Sequence, residues 1–328
     1  MRKTLAIFIT ITLLVALITG ASLLVNNKSQ KDLTKIQVIA TLFPQYDFVK
    51  NIGGDKVEVS ILLPSGVESH NFEPTPQNII DINKSSLFVY TGEYMEPWAK
   101  TIINGIDSNT KILDLSKGIS LIDTEEFEEA FGSAHEDEDH HKEEIHEHEH
   151  EYDPHIWLDP QNAIKMVISI KDMLCEIDSD NSEYYNKNAT QYINKLVALD
   201  LEIQTAVEEA KEPIIAFGGP FAYSYFIQRY DLKFISAYDS CGEQAEPSIA
   251  KVKDVIDGIK EHSIPVIFYQ ELSEGNIAKT IADETGTTPL VFHSVHNASK
   301  DEISNGASYI SLMEQNLENL KIALNVSD

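Results

Sequence analysis

A long stretch without glycine or proline does most to limit the folds open to this chain. It runs from Ser182 to Lys211, and its apolar side chains recur at the spacing of one buried helical face: Tyr185, Ala189, Tyr192, Ile193, Leu196, Leu199 and Ile203. At about 1.5 Å per residue such a helix is roughly 43 Å long, which is more than the width of one small domain. We therefore predict a rigid helix over 181–211 that links two domains, 36–180 and 212–328.

Strand and helix patterns alternate on both sides of this helix, which is typical of α/β domains with mainly parallel sheets. In the first half, short β-branched runs predict strands at 36–40, 57–63, 87–90 and 111–113, and apolar periodicity predicts helices at 46–52, 76–84, 97–103 and 161–177. In the second half, the same patterns predict strands at 214–217, 234–237, 264–269 and 289–292, and helices at 221–229, 247–261, 274–285 and 307–324. Ligands of such sheets bind beyond the carboxyl ends of the strands, so we expect a site in the cleft between the domains.

A run of histidines and carboxylates at 134–152 ends abruptly in Asp153-Pro154-His155-Ile156-Trp157-Leu158-Asp159-Pro160. The run has almost nothing to bury, which predicts a solvated loop, and its side chains are those that attract metal ions. A soluble charged loop without metal is the alternative for the run alone. His155 stands where this loop meets an apolar run, and a fixed metal ligand needs such a rigid support. His155 is therefore the first candidate ligand.

Further candidate ligands follow other predicted strands. His70 lies in Ser69-His70-Asn71-Phe72-Glu73-Pro74-Thr75-Pro76, whose two prolines stiffen the loop. His293 and His296 follow the last predicted strand, where their odd spacing sends the rings to opposite faces unless the chain turns. We favour His293 over His296. Glu271 could add an oxygen, although a carboxylate hydrogen-bonded to water or a backbone amide is the simpler interpretation.

Composition restricts the partners and the compartment. The formal net charge of −28 predicts repulsion from nucleic acids and anionic lipids, and attraction of divalent cations. A basic start and the apolar stretch from Thr4 to Val25 predict export, with 1–30 either a cleaved signal or a retained membrane anchor. The two cysteines, Cys175 and Cys241, fall in different predicted domains, so we expect independent thiols.

The chain resembles the zinc- and manganese-specific solute-binding proteins of bacterial ABC importers. The resemblance rests on the motifs around His70 and His155, the acidic His-rich loop, the long helix and the second α/β domain. The resemblance runs from about residue 36 to the end, and the His-rich loop is similar to that of the zinc-specific members. It implies that His70 and His155 are the first two metal ligands. The family's third ligand falls at or beside Pro220, which has no donor atom, and the fourth falls on or near His293. The resemblance therefore implies a site of His70, His155 and His293, completed by water, Glu271 or His296.

The resulting hypothesis is an exported, monomeric receptor that captures zinc and hands it to an ABC permease in the membrane. Three imidazoles favour Zn²⁺ over Mn²⁺ as the transported ion, because manganese prefers sites rich in carboxylates. A zinc hydrolase is one alternative, although no nucleophile motif supports it. An extracellular metal buffer or adhesin that works through the loop alone is another.

Overall fold

The structure is a computed structural model, and it describes residues 35–67, 72–106, 109–131, 151–238 and 247–326. By internal contacts the chain divides into Met1–Ile36 and a large compact unit, Gln37–Asp328. The predicted export segment lies outside the described residues. Among the residues that are described, no helix is long and apolar enough to cross a membrane.

Two four-stranded sheets organise the large unit. The first half of the chain forms one sheet in the order β2-β1-β3-β4, with strands β1 Ile36–Ala40, β2 Val57–Ile61, β3 Leu87–Tyr90 and β4 Lys111–Asp114. The second half forms the other in the equivalent order β6-β5-β7-β8, with strands β5 Ile214–Phe217, β6 Lys233–Ser236, β7 Val266–Tyr269 and β8 Thr288–Val291. The paired strands run parallel, as in the register of Phe217 opposite Phe268. The predicted α/β class with parallel sheets is confirmed.

Helices connect the strands and cover the sheets. Those of the first half are α1 Phe43–Gly53, α2 Pro76–Lys84, α3 Ala99–Ile103, α4 Thr124–Phe131 and α5 Pro160–Ile177. The linking helix is α6 Ser182–Glu209, and the second half adds α7 Ser224–Tyr230, α8 Ile249–His262, α9 Asn276–Thr285, α10 Lys300–Ser304 and α11 Tyr309–Leu324. Helix α1 begins three residues before its predicted start because Pro44 occupies its first turn, where proline is favoured. The short helices α4 and α10 were not predicted, because α4 has four glutamates among its eight residues and α10 has a single apolar residue among five, so neither shows a clear apolar period.

The long helix α6 makes a buried polar junction with both halves. Asp200, in its third quarter, accepts hydrogen bonds from Gln161 Nε2 at 2.6 Å, Arg229 Nη2 at 2.7 Å and the Tyr230 hydroxyl at 2.9 Å. Gln161 belongs to α5 in the first half, whereas Arg229 and Tyr230 belong to α7 in the second. The predicted linking helix is thus present, while the division into domains 36–180 and 212–328 stays a prediction.

A second connection between the halves runs through Trp157, which is completely buried. Its indole Nε1 donates a hydrogen bond to the carbonyl of Ser294 at 2.8 Å, and its own carbonyl accepts one from the Tyr309 hydroxyl at 2.5 Å. Both partners belong to the second half. The segment that carries His155 is therefore fixed to the loop that follows β8.

Candidate metal centre

His155 follows a short folded neck at the base of the predicted His-rich loop. Asp123 pairs with Tyr152 in an antiparallel bridge, and the Thr124 N–H donates to the carbonyl of Glu151 at 3.0 Å. Glu151 and Tyr152, assigned to the loop at 134–152 by the sequence, thus belong to the neck. The histidines of the run lie outside the described residues. The neck delivers the chain to His155 in one defined direction.

Asp153 holds the His155 ring, which is 2% exposed. Asp153 Oδ1 lies 2.9 Å from Nδ1 and also accepts the backbone N–H of His155 at 2.7 Å. Burial raises the pKa of Asp153, but attraction to His155 and its hydrogen bonds outweigh burial, so the pKa is lowered and the carboxylate stays ionised. An ionised carboxylate only accepts hydrogen bonds, so Nδ1 carries a proton, and in the neutral ring Nε2 keeps its lone pair. This is the arrangement that supports a metal-binding imidazole.

His296 reaches the same place from the second half, and its ring is as deeply buried, at 1% exposed. Its Nδ1 contacts Ser294 Oγ, and the centroid of its ring lies 6.5 Å from that of His155. The Nε2 atoms of both rings are buried and make no hydrogen bond to a described residue. Rings this close can share one ion after a small approach of the two loops.

The structure places His293, the candidate favoured by the sequence, between two carboxylates. Its Nδ1 lies 3.3 Å from Glu271 Oε1, with the Val295 N–H at the same distance, and its Nε2 lies 3.0 Å from Glu302 Oε1. Burial lowers the pKa of His293, but the two carboxylates outweigh burial and raise it to about 9. Both ring nitrogens of His293 thus lie beside carboxylates, and the choice between His293 and His296 as a ligand stays a prediction.

The different directions of the two rings have a local cause in Val295, which adopts a positive φ of 62°. In an extended strand, residues 293 and 296 would point to opposite faces. The left-handed turn at Val295 redirects the chain, and Asn316 fixes the start of the turn by accepting the His293 N–H at 2.6 Å and donating to the His293 carbonyl at 2.8 Å. His296 therefore turns toward His155 while His293 stays within the second half.

Glu271, also a candidate ligand, lies on the Nδ1 side of His296, at 3.9 Å. Its carboxylate accepts the Ser294 N–H at 2.8 Å and the Ser294 hydroxyl at 2.6 Å. Burial raises its pKa, but attraction to His293 outweighs burial and lowers it to about 2. The carboxylate is therefore ionised and is engaged behind the ring of His296. Sequence reasoning missed Ser294 and Asp153, whose signal was a polar residue two positions before each ring.

His70 lies outside the described residues, but the chain on its amino-terminal side can be followed to Val67. The Asn297 side chain donates to the carbonyls of Pro64 at 2.9 Å and Val67 at 2.7 Å, and the Phe43 N–H donates to the carbonyl of His296 at 3.2 Å. Val67 thus lies beside the residue that follows His296. Within the described part of the chain, no three His, Cys, Asp or Glu side chains form a group that could hold a metal ion.

The His293 ion pairs predict how stability depends on pH. A folded pKa of about 9 against an ordinary 6.5 contributes stability that is complete below 6.5 and is lost as the pH rises through 9. Glu271 acts in the opposite sense, because its stabilisation is lost only as the pH falls from 4.5 through about 2. We expect the urea midpoint of the metal-free protein to fall between pH 6.5 and 9.5. The corresponding loss of unfolding free energy is up to about 3 kcal/mol.

His293→Gln should be less stable at pH 6 and should show a flatter alkaline profile in the same measurement. His262→Gln is the matched control, since that imidazole contacts Glu212 at 2.8 Å on the surface, and it should keep the wild-type profile. A wild-type midpoint that stays constant from pH 6.5 to 9.5 would contradict this prediction.

Comparison with known proteins identifies the family. A family model described as the periplasmic zinc-uptake complex component A, ZnuA, matches residues 38–323. The high-affinity zinc uptake system protein ZnuA of Bacillus subtilis is 36% identical over 291 residues, which cover 88% of each chain. The zinc-binding lipoprotein AdcA of Streptococcus pneumoniae is 32% identical over 297 residues, covering 90% of this chain and 57% of AdcA. The crystal structure of the Zn(II)-bound ZnuA-like domain of AdcA shares the fold with a TM-score of 0.72 at 28% identity, covering 89% of this chain and 99% of that domain. The chain therefore belongs to the ZnuA family of periplasmic zinc-uptake components.

Proposed function

We propose that this chain is the extracytoplasmic receptor of a zinc importer, which captures one zinc ion between its halves and delivers it to an ABC permease. The observation that carries the proposal is the buried pair of rings, His155 from the first half and His296 from the second, with centroids 6.5 Å apart. His70 is proposed as the third ligand. The receptor is proposed to act as a monomer.

The character of the donors favours zinc over manganese. Both rings have Nδ1 engaged by an oxygen, which leaves Nε2 as the donor atom, and neutral imidazole suits zinc better than manganese. Glu271 is engaged with Ser294 and His293, so we do not expect it in the inner coordination sphere. Water is the simplest fourth ligand.

The burial of the site favours capture over hydrolysis. A catalytic zinc keeps a position open to substrate, whereas the rings of His155 and His296 are 2% and 1% exposed. The relatives are named for zinc uptake and zinc binding, which supports a receptor over a hydrolase or an adhesin. The apolar segment from Thr4 to Val25 is proposed to direct export, and either its cleavage or its retention would leave the receptor outside the cytoplasm.

The test is a zinc titration of the chain with and without the His-rich run. Residues 134–150 are replaced by a short Gly-Ser linker, which keeps the neck at Glu151 and Tyr152. We expect one tight ion in both proteins and fewer weak ions in the shortened one, because a solvated loop with many similar donors binds weakly and exchanges rapidly. Isothermal titration against a competing chelator measures both classes of site.

The matched control for charge is a variant that keeps the run 134–150 at its full length, with its six histidines, but has serine in place of its acidic residues. Loss of the tight ion on deletion of 134–150 would support a metal buffer that works through the loop and would contradict the receptor. A tight ion that remains in the shortened protein but disappears in the His155→Ala variant would support the receptor.

A further inference from the structure

We infer that Ser294 and Glu271 form a positioning relay that fixes the proton of His296 on Nδ1 and so presents Nε2 to the ion. The inference rests on the proposed function, because it takes His296 as a ligand. It assigns Glu271 a role behind the ligand in place of a role as ligand. It assigns Ser294 a role that its residue type alone does not indicate.

The direction of each hydrogen bond follows from the atoms present. The Glu271 carboxylate accepts the Ser294 N–H at 2.8 Å on one oxygen, and the Ser294 hydroxyl donates its single proton to the other, Oε1, at 2.6 Å. Ser294 Oγ can then only accept from its other neighbour, His296 Nδ1. The neutral ring of His296 must therefore carry its proton on Nδ1, and its lone pair then lies on the buried Nε2.

Further groups contact Glu271, and these contacts favour the same direction of the hydrogen bonds from Ser294. Its second oxygen accepts the Ser294 N–H at 2.8 Å, and its first faces His293 Nδ1 at 3.3 Å. The other ring nitrogen of His293, Nε2, contacts Glu302. Glu302 accepts the Ser299 N–H at 2.7 Å and completes the capping box of α10. Two carboxylates surround one imidazole, so the relay ends on fixed negative charge close to the ion.

In the first half, a carboxylate holds the proton of His155 on Nδ1 without an intervening serine. Asp153 contacts His155 Nδ1 directly at 2.9 Å, and both residues lie on one short turn. A change at Glu271 should therefore alter the tautomer of His296 and leave that of His155 unaffected. This difference supplies an internal control within one molecule.

Glu271→Gln tests the direction of the relay. If the amide oxygen accepts the Ser294 N–H, the amide NH₂ must donate to Ser294 Oγ, whose proton then turns to His296 Nδ1 and leaves the proton of the ring on Nε2. We expect zinc affinity to fall by about 10–100-fold, the range typical when a residue that hydrogen-bonds a metal ligand is lost. Glu96→Gln is the control, since Glu96 is another buried carboxyl group and accepts the Thr91 N–H at 3.1 Å in the first half, and the zinc affinity of this variant should stay within a factor of about two of the wild type.

Long-range proton–nitrogen spectra of the metal-free full chain with labelled histidine supply a readout that a merely structural role would not move. We expect Nε2 of His296 to resonate as an unprotonated ring nitrogen in the wild type and as a protonated one in Glu271→Gln, with His155 unchanged. Signals are assigned by their loss in His296→Gln. A wild-type His296 protonated on Nε2, or an unchanged tautomer in a folded Glu271→Gln, would overturn the inference.

Ser294→Ala separates the relay from simple loss of charge, because it keeps both carboxylates. We expect a loss of zinc affinity smaller than that of Glu271→Gln, together with a mixture of tautomers at His296. Wild-type affinity and tautomer in this variant would overturn the relay. Failure of the proposed function has a different signature: the metal-free spectra would be as expected, but the His296 signals would not move when zinc is added.

Discussion

Replacement of His155 or His296 by alanine is expected to weaken tight zinc binding on the order of a thousandfold. Each variant removes one imidazole from a buried site, and the free energy of binding zinc in proteins is shared among few ligands. Competition with a chromophoric zinc chelator at pH 7.5 measures the change. The same loss is expected for His70→Ala.

Two other histidines make the comparison sharp. His262→Ala removes a ring at the end of α8 that contacts Glu212, and it should leave the affinity for zinc unchanged. His293→Ala should weaken zinc binding less than His296→Ala, because His293 contacts carboxylates on both of its nitrogens. If His293→Ala binds zinc more weakly than His296→Ala, the result would support the ranking that the sequence favoured and would contradict the geometry.

Replacement of Trp157 by alanine is expected to lower the free energy of unfolding by about 3–5 kcal/mol, the range for loss of a large buried aromatic side chain. The side chain is completely buried, and its indole donates to the Ser294 carbonyl in the other half. Removal creates a cavity and leaves that carbonyl without its donor, so the two losses add. Urea unfolding of the metal-free protein measures the change.

The protein provides its own controls for this prediction. Trp98→Ala removes the other tryptophan, which is only partly buried beside Phe72 and Phe88, and it should destabilise less. Trp157→Phe keeps most of the ring but not the N–H, and it should cost about 1–2 kcal/mol. An alanine variant at Trp157 no less stable than the one at Trp98 would show that the connection between the halves contributes little.

The fold was largely predictable because its signals are local. Apolar periodicity over 182–211 predicted α6, and β-branched runs such as Ile214–Phe217 predicted strands whose parallel pairing the structure confirms. Ends of elements were less predictable, as at α7, which begins at Ser224 rather than 221. Helix α10 has only five residues, too few for one apolar face, and its capping box is a signal that many loops also carry.

The candidate site was predictable in residue type but not in the orientation of the rings. The loop that bears His293 and His296 was predicted from its position after an apolar run, and His155 was predicted from its position where the charged run meets one. The choice between His293 and His296 depends on one backbone angle, at Val295, and a valine gives no sequence signal for a left-handed conformation. The partners of Nδ1 depend in turn on this angle, so Ser294 could be assigned only from the structure.

The conformation of Val295 also bears on how quickly an ion leaves. A β-branched residue at φ 62° is strained by about 1–3 kcal/mol, and it keeps this conformation because the residue is completely buried. The strain is relieved if the turn relaxes, and His296 would then move away from the ion. A bias of this size corresponds to a factor of about 5–150 in an equilibrium or a rate. We therefore expect zinc to dissociate faster than it would from an unstrained loop with the same donors, so that a tight site can still be emptied on the timescale of transport.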